Sequence, residues 1–249
     1  MSNDRVLVIS HAHPDFSAGG AEIAAYNLFK SYKQHDAVDQ AWFLARADRG
    51  RGVTGYIRKR RDCEYLWEQG ISNEHLMKTA HQDSIVLWFR DLLHYLKPTV
   101  VHIHHYANIG LEIIRAIKNV DSTIKVFLTL HEYIAVCKHD GKMVKTGDGY
   151  ELCSSESFDE CSNCFPQHTP EDFWLRKHHF QKHFDLIDGF ISPSEFLRQR
   201  YIQWGIAKER IIVIENGQAD SPMQPPRELN KNEIRNRFAF FGQVTPYKV

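Results

Sequence analysis

Two adjacent glycines, Gly19 and Gly20, follow a short apolar segment and precede a helical pattern in the stretch VLVISHAHPDFSAGGAEIAAYNLFK, residues 6–30. Glycines in such a turn let the backbone approach a ligand closely, and the first turn of the helix presents free N–H groups and the positive end of the helix dipole. The stretch could therefore bind a phosphate group. A packing role for the two glycines stays open, and the G-x-G-x-x-G pattern of dinucleotide-binding turns is absent from the stretch.

The cysteines are the second group of residues that could do chemistry. Four of the five fall in one long segment between His131 and His168, namely Cys137, Cys153, Cys161 and Cys164. Four thiolates, two of them in a C-x2-C pair, are enough for a tetrahedral structural zinc site. Zinc binding would order a segment that is long for a loop in a compact domain. Free or paired thiols and an iron–sulfur cluster are the alternatives.

The segment AHPDF resembles the N-terminal motif of zinc-dependent sugar N-deacetylases. In that family a histidine and a second aspartate bind zinc, while the first aspartate acts as a base, roles that would fall to His13 and Asp15. Phe16 stands at the position of the second aspartate and cannot bind a metal. A metal-dependent deacetylase is therefore an alternative function. His102, His104 and His105 lie on one predicted strand, where neighbouring residues face opposite sides, so a three-histidine metal site is not expected.

Short apolar runs alternate with helical patterns along the chain. The strand candidates are RVLVIS (5–10), AWFLAR (41–46), TVVHIHH (99–105), KVFLTLH (125–131), DGFISPS (188–194) and RIIVIENG (210–217). The helix candidates are residues 21–33, 84–96, 109–118, 170–186 and 195–204. Consecutive apolar residues in the strands favour a sheet covered on both faces. We predict an α/β fold with a doubly wound, mostly parallel Rossmann-like sheet.

Composition limits the partners. The chain has 249 residues, 43% of them hydrophobic, and Lys+Arg and Asp+Glu each total 31. The balanced charge argues against a nucleic-acid partner, and no apolar run approaches the ~20 residues of a membrane span. The N-terminal residues lack the pattern of a secretion signal, so a cytoplasmic location is expected. The basic segment 46–61 reads as an exposed loop, with contact to an anionic acceptor or to the cytoplasmic membrane face as the alternative to mere solvation.

A change in composition near residue 220 indicates a domain boundary. Residues 221–236 are rich in proline and polar residues, which predicts a linker. Residues 237–249 begin a new apolar strand that has nothing after it to cover its faces. We therefore expect one domain over 1–220 with a cysteine-containing insertion at 131–168, a linker, and the first strand of a truncated second domain.

Five motifs in order make the chain resemble the N-terminal half of a family 4 retaining glycosyltransferase of the GT-B fold. They are GGAE (19–22), KPTVVHIHH (97–105), VFLTLHEY (126–133), DGFISPSEFLRQRYIQWGIAKERIIVIENG (188–217) and FAFFGQVTPYK (238–248). The last resembles the opening of the donor-binding second domain, except that Gln243 stands where that motif usually has arginine.

The resemblance implies roles for particular residues. Gly19 and Gly20 would approach the diphosphate of a nucleotide-sugar donor. His131 would contact the transferred sugar near the reaction centre, and Glu132 follows it where many relatives have aspartate, so both are catalytic candidates. Further candidates for the cleft are His104, Asn216 and Gly217.

Such enzymes are thought to retain configuration by front-face attack, in which the leaving phosphate accepts the proton of the acceptor. No protein base and no cofactor would then be required for catalysis, and a zinc at the cysteines would be structural. The family's other donor contacts belong to the second domain, so we expect no transferase activity from these 249 residues alone. A non-catalytic binding module of the same fold is a further alternative. The donor sugar stays open, and a sugar, lipid-linked or protein acceptor is equally compatible.

Overall fold

The computed structural model describes residues 4–17, 19–47, 55–147 and 149–217, together with positions 223, 225, 234 and 239. Apart from those single positions, the predicted linker and the predicted second-domain strand lie outside the described residues. Residues 48–54 of the basic segment lie outside them as well. All helices and strands named below belong to the described part of the chain.

The strands are β1 (Asp4–Ser10), β2 (Val38–Arg46), β3 (Ile57–Arg61), β4 (Glu64–Trp67), β5 (Ile71–Asn73), β6 (Lys78–Thr79), β7 (Val100–Ile103), β8 (Lys125–Thr129), β9 (Gly189–Ser192) and β10 (Ile211–Val213). Eight of them form one sheet in the order β10-β9-β8-β7-β1-β2-β4-β3. Neighbouring strands of this sheet run parallel except for β3 and β4, which are antiparallel. Strands β5 and β6 form a separate ribbon. The predicted α/β class and mostly parallel sheet are confirmed.

The five predicted helices are present, and a further short helix lies in the 131–168 insertion. The helical elements are α1 (Gly20–Tyr32), α2 (Gln82–Ser84), a π-helix (Ile85–Phe89), α3 (Arg90–Leu96), α4 (Glu112–Val120), α5 (Phe158–Cys164), α6 (Pro170–Phe184), α7 (Glu195–Trp204) and a 3-10 turn (Lys208–Arg210). Thr169 and Asp172 form a reciprocal capping box at the start of α6. Within the described residues, no helix is both long and apolar enough to cross a membrane.

Alternate residues of β1 enter two separate hydrophobic clusters. Val6 and Val8 pack with Phe29 of α1, whereas Leu7 and Ile9 belong to the larger cluster that includes side chains of α3, α4, α6 and α7. Helices therefore lie on both faces of the sheet, as the consecutive apolar residues predict. Because α1 follows the carboxyl end of β1, its first turn lies at the edge where the parallel strands end.

The basic segment 46–61 is not a continuous loop, which corrects the expectation from sequence. Residues Ile57–Arg61 form β3, the edge strand of the sheet, paired with β4. The sequence IRKRR has no apolar alternation because most of this strand is exposed at the edge, where charged side chains are common. Its order depends on a pairing partner that local sequence patterns do not identify.

The insertion 131–168 is ordered mainly by packing against the domain. Ala135, Val136 and Met143 belong to the main hydrophobic cluster. Described regular structure inside the insertion consists of α5 and an isolated bridge between Val144 and Leu152. A metal is therefore not the only means by which this long segment can be fixed.

Candidate active site

Several titratable side chains that could form a site lie together where the parallel strands end. His11 follows β1, His104 and His105 follow β7, and His131 and Glu132 lie just beyond β8. In open α/β sheets, ligands bind at this carboxyl edge. The topology thus brings residues from three separate parts of the sequence to one place.

The two glycines of the turn after β1 have different surroundings. Gly19 is the N-cap of α1, and a Cβ atom there would overlap the Glu22 carboxylate. Gly20 is the first residue of the helix, and a Cβ atom there would meet nothing within 4 Å. Gly19 thus packs against the Glu22 side chain, whereas Gly20 faces open space.

Glu22 is a buried carboxylate at the start of α1. It accepts a hydrogen bond of 2.7 Å from the Ser17 hydroxyl, and its Oε1 lies 3.3 Å from Nε2 of His11. Burial alone would raise the pKa of Glu22, but hydrogen bonds from His11, Ser17 and its own backbone N–H outweigh burial and lower it to about 2. Glu22 is therefore ionised at neutral pH and fixes His11 beside the turn.

His131 is held by a second histidine. Its Nε2 lies 3.1 Å from Nδ1 of His104, and the two rings are stacked with their centroids 5.3 Å apart. Burial, reinforced by His11 and partly offset by Glu22, lowers the pKa of His131 to about 4. His131 is therefore a neutral imidazole at physiological pH, suited to hydrogen bonding rather than to carrying charge.

His104 packs against a residue of β7 that also contacts β8. His102 lies next to it, with ring centroids 4.5 Å apart, and contacts the Tyr32 hydroxyl at 3.3 Å and the Thr129 hydroxyl at 2.7 Å. Nε2 of His104 is buried and has no hydrogen-bond partner among the described residues. Burial together with the neighbouring histidines lowers the pKa of His104 well below its ordinary value, so this ring is also neutral.

Glu132 lies beside His105, with 3.6 Å between its Oε1 and Nε2 of the imidazole. Nδ1 of His105 accepts from the backbone N–H of Ala107 at 3.0 Å, so the neutral ring carries its proton on Nε2. Burial raises the pKa of Glu132 to about 8, although a hydrogen bond from the Ile134 backbone N–H opposes this shift. Glu132 is therefore protonated at neutral pH, the opposite of Glu22.

Side chains of two helices donate hydrogen bonds to backbone carbonyls in the turn that carries His131 and Glu132. Arg176 of α6, only 1% exposed, donates to the carbonyl oxygens of Ala135, at 2.6 Å, and of Ile134. The Tyr201 hydroxyl of α7 donates to the Glu132 carbonyl at 2.9 Å. These contacts hold the turn in one conformation.

The remaining cleft candidates share a cavity. A cavity of about 560 Å³ is lined by His102, His104, Asn216 and Gly217, with α1 residues such as Asn27 and Tyr32 on its other side. His104 thus connects this cavity to His131. Gly19, Gly20, His131 and Glu132 are not among its lining residues.

The zinc site that the sequence predicts at the four clustered cysteines stays a prediction. All are free thiols of intermediate burial, and within the described residues no three His, Cys, Asp or Glu side chains are placed to hold a metal ion. Burial raises the pKa of Cys137, Cys153 and Cys161, in the last case to about 11, so these thiols are protonated at neutral pH.

The deacetylase alternative is not supported by the surroundings of His13 and Asp15. His13 is fully buried, with Nδ1 accepting from the Asp15 backbone N–H at 3.1 Å and Nε2 3.1 Å from Glu64. The Asp15 carboxylate pairs with Arg60 and Arg61. Both ring nitrogens of His13 are engaged, so this segment is a structural network and not a metal centre.

Sequence reasoning missed several residues of the site: His11, Ser17, Glu22, His105 and Arg176. Glu22 lies within the GGAE motif and His11 directly after the first strand, so their positions in sequence were available as signals. Their pairing was not, because it depends on how the turn after β1 folds back on α1. Arg176 carries no local signal of its role.

The fold and this edge cluster place the chain among Rossmann-like α/β domains. The model of Glycosyltransferase Family 4 matches residues 18–218, and the chain belongs to that family. No curated protein sequence matches the chain.

Solved structures similar to the chain include Anabaena Alr3699/HepE in complex with UDP and glucose, at 14% identity and a TM-score of 0.46 over 88% of this chain and 48% of that one. The apo form of the lipopolysaccharide outer core galactosyltransferase WaaB is 12% identical, with a TM-score of 0.44 over 90% and 50%. UDP-GlcNAc 2-epimerase from Neisseria meningitidis bound to UDP-GlcNAc is 13% identical, with a TM-score of 0.42 over 84% and 45%. The chain spans about half the length of these proteins.

Proposed function

We propose that this chain forms the acceptor-side part of a retaining glycosyltransferase, which transfers a sugar from a nucleotide-diphosphate sugar to an acceptor. The observation that carries the proposal, together with family membership, is the convergence of the glycine turn, His131 and Glu132 at the carboxyl edge of the sheet. Each comes from a motif that resembles the family's site.

The open space at Gly20 suits the approach of a donor diphosphate to the first turn of α1. Negative charge grows on that diphosphate as the bond to the sugar breaks. Backbone N–H groups that are already oriented toward it stabilise the transition state more than the ground state. This is the role we assign to the turn formed by Gly19 and Gly20.

His131 and Glu132 act on the sugar side of the reaction in this proposal. A neutral imidazole can donate or accept a hydrogen bond to a sugar hydroxyl, and a protonated carboxyl can do the same. Neither has to act as a base, because the leaving phosphate takes the proton of the acceptor. No cofactor is required for this step.

The rest of the donor site belongs to the part of the enzyme beyond the described domain. Contacts to the nucleotide and to the second side of the diphosphate would come from the donor-binding domain that the FAFFGQVTPYK motif begins. These 249 residues alone would then have little donor affinity and no turnover.

We further propose that the protein associates with the cytoplasmic face of a membrane, which would suit a lipid-linked acceptor. Val86, Leu87 and Trp88 are exposed, and Tyr56 packs on Trp88 with ring centroids 4.8 Å apart, next to the exposed basic residues of β3. Exposed aromatic and aliphatic residues beside basic ones favour the interface of an anionic membrane. Sedimentation with phosphatidylglycerol vesicles tests this: Leu87→Glu should abolish binding, while Leu152→Glu, at another exposed leucine, should not.

A thermal-shift screen of the complete protein against nucleotide-diphosphate sugars, including UDP-glucose, tests the transferase proposal. A ligand at 100 times its dissociation constant adds about 2.7 kcal/mol of stability. Stabilisation by one member of the panel, followed by transfer activity, supports the proposal and identifies the donor. Stabilisation without any transfer to sugar, lipid-linked or protein acceptors would favour a binding module. Failure of the whole panel would contradict both.

A further inference from the structure

Gly141, in the cysteine-containing insertion, lies very close to the turn that carries Glu132. Its backbone has a φ of +67°, in the left-handed region that favours glycine. A Cβ atom at this position would lie 2.7 Å from Oε2 of Glu132, 2.7 Å from the backbone nitrogen of Ile134 and 2.8 Å from that of Tyr133. Side-chain atoms do not approach other atoms below 3.0 Å in this way, so only glycine fits between the insertion and the turn.

This close approach falls on a hydrogen bond of the candidate site. The Ile134 backbone N–H donates to Oε2 of Glu132, and a Cβ atom at Gly141 would lie against both of these atoms. The other carboxyl oxygen, Oε1, lies 3.6 Å from Nε2 of His105. The Glu132 side chain is 24% exposed, so a ligand can still reach part of it. One carboxyl oxygen is thus held by the protein, and the exposed part of the side chain can contact a ligand.

The backbone on either side of this contact is anchored. The carbonyl oxygens of the turn accept hydrogen bonds from Arg176 and from the Tyr201 hydroxyl. Val136 and Met143, which precede and follow Gly141 in the sequence, are buried in the main hydrophobic cluster. The glutamate carboxyl is then the flexible group that must yield to an added methyl group.

We propose that Gly141 is a positioning residue: it lets the insertion lie directly against the turn, so that the Glu132 carboxyl keeps one place, in which it binds a hydroxyl of the transferred sugar. This deepens the proposed function and rests on it. The insertion then takes part in the reaction by shaping the site. Gly141 acts through Glu132 and makes no contact of its own with the substrate.

Gly141→Ala in the complete protein is the direct test. The methyl group should displace the Glu132 carboxyl from the Ile134 N–H, and a misplacement of about 1 Å can cost about 10²-fold in rate. We therefore expect kcat to fall about 10- to 100-fold, measured as initial rates with the donor that the thermal-shift panel identifies. The affinity for the nucleoside diphosphate alone, measured by calorimetric titration, should stay within about twofold, because that ligand has no sugar for Glu132 to bind.

Gly149→Ala is the matched control, since Gly149 lies in the same insertion. Its φ is +93°, so alanine is strained there as well, but a Cβ atom would meet nothing within 4 Å among the described residues. Both variants should lower the melting temperature, and only Gly141→Ala should lower kcat. An equal loss of kcat in both variants, or a loss in neither, overturns the proposal.

A double variant shows whether Gly141 acts through Glu132. Glu132→Ala removes the carboxyl, so a methyl group at position 141 has no carboxyl left to displace. Gly141→Ala should then cost less than about threefold in kcat in the Glu132→Ala background, against about 10- to 100-fold in the wild type. A fall of the same size in both backgrounds overturns the proposal.

Hydrogen exchange separates this inference from the proposed function, because it needs no donor. The Ile134 amide should exchange slowly in the complete wild-type protein and at least about tenfold faster in Gly141→Ala, measured by mass spectrometry on peptides that contain it. Fast exchange in the wild type, or equal exchange in both proteins, overturns the proposal even where transfer is observed. Faster exchange in the variant, with no transfer by the wild type, means that the proposed function has failed and the contact has not.

A second substitution covers the case in which Gly141→Ala does not fold. Gly141→Asn carries the same Cβ atom, and asparagine tolerates a positive φ better than alanine does. The same fall in kcat and the same faster exchange are expected from it. Wild-type values of both overturn the proposal.

Discussion

The Nδ1 atom of His104 lies 3.1 Å from the Nε2 atom of His131, across the ends of the neighbouring strands β7 and β8. One ring is almost fully buried and the other half-buried, so a core residue orients a residue of the cleft. The strand register sets this geometry, since both side chains follow strands that pair residue by residue. A histidine just beyond β8 is thereby held in one orientation at the carboxyl edge of the sheet.

Substitution of His131 by alanine should impair catalysis without impairing the fold. Loss of one positioned hydrogen-bonding group near the reacting atoms typically costs about 10²–10³-fold in kcat. We expect a decrease of this order for His131→Ala in the complete enzyme, measured as initial rates at saturating donor.

His94→Ala is the matched control, because His94 is an exposed histidine on α3. It should keep wild-type rates. Activity of His131→Ala within a factor of two of the wild type, with an unchanged melting temperature, would contradict the assigned role.

Substitution of Gly20 by alanine should separate donor binding from stability. A Cβ atom at position 20 meets nothing in the protein, and alanine is a better helix former than glycine, so the stability should be unchanged or slightly higher. The added methyl group would occupy space that the diphosphate needs, and we expect donor affinity to fall about tenfold, or about 1.4 kcal/mol. Thermal unfolding and calorimetric titration measure the two effects.

Gly147→Ala serves as its control, since a Cβ atom there also meets nothing within 4 Å. Gly19→Ala should instead destabilise the protein through overlap with Glu22. Equal donor affinity in wild type and Gly20→Ala would mean that the diphosphate does not approach this turn.

Local patterns predicted six of the eight strands of the main sheet, because parallel strands covered on both faces are apolar at consecutive positions, as in RVLVIS and KVFLTLH. They did not predict β3, which is mostly exposed and basic and takes its order from β4. The spacing of Cys137, Cys153 and their neighbours in the sequence shows how many thiols the insertion contains, whereas their relative placement depends on how the insertion packs on the core.

The site shows the same division between local and long-range information. Gly19, Gly20 and His131 could be predicted as site residues because they lie in motifs that can be compared with a family. The pairing of His11 with Glu22, and the support of the turn by Arg176, arise from contacts between distant parts of the chain. The residue types of His11, Glu22 and Arg176 do not show these contacts, because a histidine, a glutamate or an arginine can equally lie on the surface or in a buried ion pair.

Stability should depend on pH through Glu132. The pKa of this carboxyl is about 8 in the folded protein, against an ordinary value of 4.5, so the folded state binds more protons than the unfolded state between these values. Its contribution therefore becomes less favourable as pH rises from about 4.5 to about 8. Glu132→Gln keeps an acceptor for the Ile134 N–H and should remove this dependence. Since the side chain is 24% exposed, solvent reduces the effect, and we expect a gain of about 1–2 kcal/mol at pH 8.5.

Urea unfolding at pH 5, 7 and 8.5 measures this difference. Glu209→Gln, which removes the same charge from an exposed position, should not change the pH dependence. A Glu132→Gln variant that parallels the wild type across this range would show that the carboxyl is ionised in the folded protein.

Arg176 should be a large contributor to stability because its guanidinium, 1% exposed, donates to two backbone carbonyls of the turn that carries Glu132. Arg176→Met would fill similar volume but leave the carbonyls of Ile134 and Ala135 without their donor. A buried group left unsatisfied costs about 1–3 kcal/mol, so a loss of about 2–4 kcal/mol in the free energy of unfolding is expected for the pair. Arg176→Lys should recover only part of this, because an ammonium group lacks the planar fork that reaches both oxygens.

Arg115→Met, at an exposed arginine of α4, is the control and should change stability by less than about 0.5 kcal/mol. Equal stability of the Arg176 and Arg115 variants in urea unfolding would mean that the turn carrying Glu132 is held by other contacts, with the Tyr201 hydroxyl as the first to test.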